Sequence, residues 1–226
     1  MRACRGAIPF EHVAIAPNYN LERWHKPAAT QQITESGRRL TQTPYPSEPS
    51  IDAVALRLRE GGVIAHATEG VWGFACDPHS PAAVARVMAI KGRSAAKGLL
   101  LIADQADAFA DQLAGQDPDL AAAARASWPG AHTWILPNTV YSSQITGARD
   151  TVGCRVPGHA QARSLCAAFG GALVSTSANR AGETALVDYH AVCAAFADLV
   201  DAVLPGQVNV PGQPSTIHAL DGSILR

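Results

Sequence analysis

The stretch from Gly61 to Ala103, GGVIAHATEGVWGFACDPHSPAAVARVMAIKGRSAAKGLLLIA, carries a strand, a helix and a second strand in one run. Val63 to Thr68 (VIAHAT) follows the helix-stopping pair Gly61-Gly62 and reads as a strand. Pro81 to Lys91 reads as a helix. Pro81 suits a first turn, Val84, Val87 and Met88 recur on one face, and Gly92 stands just past the end. Leu99 to Ala103 (LLLIA) is short and uninterruptedly apolar, the mark of a strand covered on both faces. Strand, helix and covered strand in succession point to an α/β domain.

Outward from this stretch the same grammar continues. On the N-terminal side Ser50 suits an N-cap, and Ile51, Val54, Ala55 and Leu58 recur at helical spacing. On the other side the spacing predicts helices over 105–113, 118–127, 160–169 and 189–196, and strands over 133–136, 152–156, 172–175, 199–204 and 216–220. Hairpin-like neighbours occur among them, so the expected fold is α/β with a mixed sheet and flanking helices rather than a purely parallel doubly wound one. Residues 1–48 read differently. Pro9, Pro17, Pro27, Pro44 and Pro46 interrupt scattered polar residues without a sustained period, so residues 1–48 are expected to be a poorly ordered N-terminal extension and 49–226 the domain.

Composition excludes several function classes. Of 226 residues, 18 are Lys or Arg and 19 Asp or Glu, a formal charge of −1 that argues against a general polyanion binder but not against a local cationic pocket. No window approaches the roughly 18 apolar residues of a membrane span, and Met1–Phe10 lacks the apolar run of about 7–15 residues of a secretory signal, so a cytoplasmic location is expected. Cys4, Cys76, Cys154, Cys166 and Cys193 form no C-x-x-C pair, which favours free thiols. P-loop, dinucleotide-binding and nucleophile-elbow motifs are absent, and no Cys/His group has zinc spacing, so no protein metal site is expected. His66, in mid-strand, reads as a core histidine and Cys76 as an inert buried thiol.

Two clusters could carry chemistry. Lys91-Gly92-Arg93-Ser94-Ala95-Ala96-Lys97 places three cations between a helix and a buried strand. They are either solvated loop charges with Lys91 on the helix dipole, or an anion site in which the arginine fork and mobile ammonium groups converge on phosphate. Ser175-Thr176-Ser177-Ala178-Asn179 follows the apolar run Ala172-Leu173-Val174, where such residues either cap a turn or bind a ligand beyond a strand end. Only the ligand-binding readings need the two clusters to face each other.

These clusters, with Trp128-Pro129-Gly130-Ala131-His132-Thr133, Arg155-Val156-Pro157 and Pro214-Ser215-Thr216-Ile217, form one co-linear pattern. Over about 51–226 it resembles the YrdC-like (TsaC) family of threonylcarbamoyl-AMP synthases, whose K-x-R and S-x-N signatures stand here as Lys91/Arg93 and Ser177/Asn179. The resemblance implies a YrdC-like twisted sheet around a concave cavity. It implies a nucleotidyltransferase that joins L-threonine, bicarbonate or CO2, and ATP into L-threonylcarbamoyladenylate, with release of pyrophosphate, for t6A modification of tRNA. Partners so implied are the downstream threonylcarbamoyl transferase proteins and a weakly bound tRNA, with no membrane.

Carried over position by position, Lys91 and Arg93 would be catalytic, and with Lys97, Ser177 and Asn179 would hold the phosphates and the Mg2+ that accompanies ATP. Pro129 and Arg226 would border the nucleotide, and Thr68, Thr133, Ser175 and Ser215 would surround threonine. This chain departs from the family pattern at Ala67, where Pro is usual, at Gly70, where many members carry Thr or Ala, and at Ser94 and Ala131, both usually Pro. Two alternatives stay open: a non-catalytic RNA-binding relative, and a synthase acting on the carbamate of another amine.

Overall fold

Helix and strand boundaries in the computed structural model, which describes residues 49–225, follow the local chemistry closely. The extension expected over 1–48 and the terminal Arg226 lie outside the described residues. Ser50 caps α1 (Ile51–Arg59) by accepting from the Ala53 amide at 3.2 Å. Ser80 and Pro81 start α2 (Pro81–Lys91), and Gly92 ends it in the left-handed conformation at φ 57°. The chain continues as β1 (Ile64–Ala67) and β2 (Trp72–Cys76) before α2. After it come β3 (Leu100–Ile102), α3 (Ala110–Ala114), α4 (Pro118–Ser127), β4 (His132–Pro137), α5 (Ser143–Thr146) and β5 (Thr151–Arg155). Then follow α6 (Ala160–Phe169), β6 (Leu173–Ser177), α7 (Tyr189–Phe196), β7 (Ala202–Val203) and β8 (Thr216–His218).

Differences from the sequence reading are local. β2 is an additional strand, all five residues of which are buried. The helix expected over 105–113 is a 3-10 turn, Ala106–Phe109, running into the short α3. β7 is shorter than expected, only Ala202–Val203, and just before it the Asp201 carboxylate accepts from the Val63 amide at 2.7 Å and from Arg86 at 2.5 Å. β6 runs on to Ser177, since Ser175, Thr176 and Ser177 pair with Ala75, Phe74 and Gly73 of β2. The hydroxyl cluster therefore begins inside a strand.

The eight strands form one sheet in the order β7-β1-β2-β6-β3-β5-β4-β8. The pairs β1/β7, β3/β5 and β4/β8 are parallel and the others antiparallel, so the sheet is mixed as expected. Alternate residues divide between two faces. Trp72, Phe74, Leu101, Trp134, Leu136, Cys154 and Val174 pack with α2, α3, α4 and α7. On the other face Ile64, Ala75, Ile102 and Leu173 pack with α1 and α6. That second layer reaches only one end of its face. By the same alternation the remainder carries His66, Gly73, Ser175, Ser177, Gly153, Thr133 and Ile135, a floor mostly of small and polar side chains.

This floor is concave. β1 and β5 have three strands between them, which in a flat sheet sets them about 19 Å apart. Yet Glu69, just past β1, meets Arg155, the last residue of β5, at 2.5 Å. The sheet must curl toward this face for the two to touch. The pair is largely buried, and the same Glu69 oxygen accepts from the Gly158 amide while Arg155 Nε donates to the Gly130 carbonyl at 3.0 Å. Three chain segments, around residues 69, 130 and 155–158, are thereby tied together at the rim.

A strap completes the rim. β7 and β8 lie on opposite edges of the sheet, so residues 204–215 must pass from one edge to the other. On the way the amides of Asn209 and Val210 donate to the Glu69 carbonyl at 2.9 and 2.8 Å, and that of Gly212 donates to the Gly70 carbonyl at 2.8 Å. The strap fits this closely because residue 70 has no side chain: a Cβ there would stand 1.9 Å from the Gln213 carbonyl oxygen.

His66 is a core histidine. It is fully buried, its Nδ1 lies 3.1 Å from the Ala67 carbonyl, and Nε2 has no partner among the described residues. Burial holds its pKa down at about 4. An unfolded chain takes up a proton at this ring near pH 6.5, whereas the folded one resists until about pH 4. Stability is therefore expected to fall by about 3 kcal/mol as the pH drops across that interval. Urea titrations of wild type and His66→Gln at pH 7 and pH 4.5 check this: wild type should lose the extra stability, and parallel losses in both proteins would contradict a ring held neutral. Cys76, Cys154 and Cys166 are buried free thiols pushed up by burial, Cys76 to about 12, and serve as packing.

Candidate active site

Lys91 is the last residue of α2, and the αL turn at Gly92 sends the following chain away from the helix axis. Its side chain turns inward, leaving the residue 2% exposed. The ammonium donates to the Ser177 carbonyl, to the Asn179 carbonyl at 3.1 Å and to Asn179 Oδ1 at 2.9 Å, with Ser177 Oγ at 3.5 Å. It also stands 5.9 Å from the centre of the Phe74 ring. Burial, with the charge of Arg93 adding, lowers its pKa to about 8. The two clusters, 86 residues apart in sequence, are thus in direct contact. The Ser177 hydroxyl donates to Asn179 Oδ1 at 2.6 Å, and Asn179 Nδ2 donates to the carbonyls of Arg180 and Glu183 at 3.1 and 2.7 Å.

Arg93 is differently placed. One Nη reaches the Lys97 carbonyl at 3.4 Å, and its buried Nε has no partner among the described residues. Burial and the nearby Arg149 both disfavour its charged form. The loop that presents it is built from within: the Ser94 hydroxyl accepts from the Ala96 amide at 3.3 Å, opening the 3-10 turn Ala95–Lys97. Arg149 staples the loop, donating to the Ala96 carbonyl at 3.0 Å and to the Thr146 carbonyl at 3.1 Å. Lys97 is exposed beside it. Sequence reasoning passed over Arg149, since a single arginine before β5 matches no motif; only the fold brings it to the cation loop.

On the opposite rim the Thr133 and Ser215 hydroxyls lie 3.0 Å apart, both residues buried, where the strap enters β8. Ser175 occupies the floor between the rims, beside Gly73. A Cβ at Gly73 would crowd the Thr176 carbonyl at 3.1 Å and one at Gly153 would touch Leu100 and Thr133 at 3.4 Å, so these glycines keep the floor low. The Thr68 hydroxyl donates to the Val71 carbonyl at 2.7 Å and closes the β1–β2 turn. Pro129 is exposed at the rim after a cis peptide bond. Arg226 lies outside the described residues. A cavity of about 610 Å³ between residues 187–190 and 205–208 includes none of these side chains. No helix among the described residues is long and apolar enough to cross a membrane.

Comparison with known proteins adds three findings. A family model described as Sua5_yciO_yrdC, telomere recombination, matches residues 57–226. A threonylcarbamoyl-AMP synthase of Halorhodospira halophila is 42% identical over 174 residues, 76% of this chain and 91% of that protein. One of Chromohalobacter salexigens is 45% identical over 177 residues, 77% of this chain and 95% of that protein. Among solved structures, P. abyssi Sua5 complexed with L-threonine superposes with a TM-score of 0.70 at 29% identity, over 78% of this chain and 53% of that one. E. coli YciO superposes with a TM-score of 0.69 at 24% identity over 78% of this chain and 87% of that one, a likeness of fold.

Proposed function

Because this chain belongs to the Sua5/YciO/YrdC family, we infer that it is a threonylcarbamoyl-AMP synthase, a transferase that takes L-threonine as substrate and makes an adenylate. ATP and bicarbonate are the co-substrates in this reading, and Mg2+ enters with the triphosphate. The threonine amine and bicarbonate form a carbamate with loss of water. A carbamate oxygen attacks the α-phosphorus, the bond to the bridging oxygen of the β-phosphate breaks, and pyrophosphate leaves. The carbamoyl–phosphate anhydride so formed is a strong acyl donor, to be consumed by a transferase acting on a tRNA adenosine.

The observation that carries the reading is the pairing of the two polar groups on one concave floor. A cation loop meets the end of β6 on one side, and Thr133 and Ser215 meet across the other, with Ser175 between. Such a reaction gathers anions rather than needing a covalent nucleophile, so fixed cations and oriented donors supply most of the acceleration. Arg93 and Lys97 are the proposed phosphate contacts. Ser177 Oγ gives its proton to Asn179 and keeps lone pairs, which suit a hard cation such as Mg2+. Thr133, Ser175 and Ser215 are the proposed threonine contacts, and Thr68 supports them by holding the turn beneath the strap.

Pyrophosphate release by the purified protein from MgATP is the direct test. Release should require both L-threonine and bicarbonate and should respond poorly to other amino acids. Release indifferent to the omission of threonine would sink the assignment.

A further inference from the structure

Lys91 looks from sequence like a phosphate contact, but its surroundings assign the ammonium another task. A lysine has three N–H donors and no acceptor. Here three oxygens take them, the carbonyls of Ser177 and Asn179 and the Asn179 side chain, with the Ser177 hydroxyl as a fourth neighbour. The residue is 2% exposed, so no face of the ammonium is left for a ligand. Asn179 is equally committed, its oxygen accepting from Lys91 and Ser177 and its amide donating to two carbonyls. The backbone adds a further link, the Ala181 amide donating to the Lys91 carbonyl at 2.7 Å. Arg93, two residues on, has the opposite character, with an Nε unpartnered among the described residues and one long contact.

We propose that Lys91 is a positioning residue that never touches the nucleotide: with Asn179 it forms a closed lattice that aims the Ser177 hydroxyl, while Arg93 makes the phosphate contact. The ammonium fixes the end of β6 against the end of α2, and its charge sets the direction of the Ser177 O–H toward Asn179. A phosphate oxygen could reach Nζ only by displacing one of these acceptors, which would then be buried without a donor. The proposal rests on the synthase reading above, and its tests separate the two, because threonine-dependent pyrophosphate release by wild type decides the reading independently of any variant.

Two experiments test the role itself. In steady-state pyrophosphate release, Lys91→Met should lower kcat by about 100-fold or more while the KM for ATP changes less than about 3-fold. The double variant Lys91→Met/Asn179→Ala should be no slower than the worse single one, as members of one unit behave. Lys91→Met combined with Arg93→Ala should instead multiply. A 10-fold or larger rise in the KM for ATP, with losses at 91 and 179 that multiply, would overturn the proposal.

The second experiment needs no variant. The chain has only three lysines, Lys26, Lys91 and Lys97. Trace acetylation of the folded wild-type protein, read by mass spectrometry, should leave Lys91 unlabelled with or without MgATP and label Lys97 readily. Free labelling of Lys91 that MgATP suppresses would identify it as a phosphate contact and refute the lattice.

Discussion

Replacing Arg93 by alanine is expected to slow threonine-dependent pyrophosphate release by about 10²- to 10³-fold, the usual cost of removing one fixed donor aimed at developing charge. Its guanidinium is held only loosely: Nε is buried without a partner among the described residues, and a single Nη contact at 3.4 Å holds the fork in place. A triphosphate oxygen would satisfy that donor, so the group is both available and poorly satisfied when alone. The loop should survive the change, because Arg149 and the Ser94 hydroxyl also hold residues 94–98 and Arg93 adds only one long contact, to the Lys97 carbonyl. Melting temperature should accordingly stay within a few degrees of wild type. Arg93→Lys keeps the charge and loses the planar fork, so it should recover only part of the rate. A loss smaller than about 10-fold in the alanine variant would place the phosphate contact elsewhere.

Gly70→Ala is expected to do nearly as much damage by a different route. The obstruction is the new Cβ itself, 1.9 Å from the Gln213 carbonyl oxygen, so threonine at this position would fare no better. Backbone must yield, and the segment that yields is the strap, whose amides at 209, 210 and 212 are bonded to Glu69 and Gly70. Overpacking of this kind costs about 1–3 kcal/mol, which for a domain of this size lowers the melting temperature by several degrees. The strap also delivers Ser215 to Thr133, so the KM for L-threonine should rise about 10-fold or more while that for ATP holds. Equal rises in both constants would show that the strap serves the whole site rather than the amino-acid side. The glycine is thus not an empty place where relatives have a side chain; the strap's own backbone fills it.

Much of this architecture was legible residue by residue. Ser50, Ser80-Pro81 and Gly92 announced helix ends because capping is a local interaction, and LLLIA announced a covered strand because burial on both faces removes alternation. β2 escaped notice for the same physical reason taken further. Trp72–Cys76 is short, buried throughout and interrupted by Gly73, and its neighbours Gly70 and Asp77-Pro78 look like turn. The K-x-R and S-x-N signatures singled out two segments that the fold brings into contact, but no spacing rule can say that an ammonium will be spent on carbonyls 86 and 88 residues away. The same holds for Arg149 and for the Glu69–Arg155 pair, whose meeting depends on how far the sheet curls. Local chemistry determines elements; the allocation of each polar group depends on long-range packing.

The place of β6 in the sheet bears on how the protein is made. β6 pairs with β2 on one side and β3 on the other, and among the described residues no other strand pairing joins those two ladders. A nascent chain that has emerged only through α6 therefore holds two separate ladders, β1–β2 and β3–β5–β4, each with an open hydrogen-bonding edge. Pairing across such sequence distance is slow, and open edges invite the wrong partner. When Leu173–Ser177 leaves the ribosome it closes both edges at once and brings Ser177 and Asn179 to Lys91 in the same event. Meeting of the two polar clusters and closure of these two inner edges are one step of its folding, and a strand-breaking residue at 174 or 176 would forfeit both together.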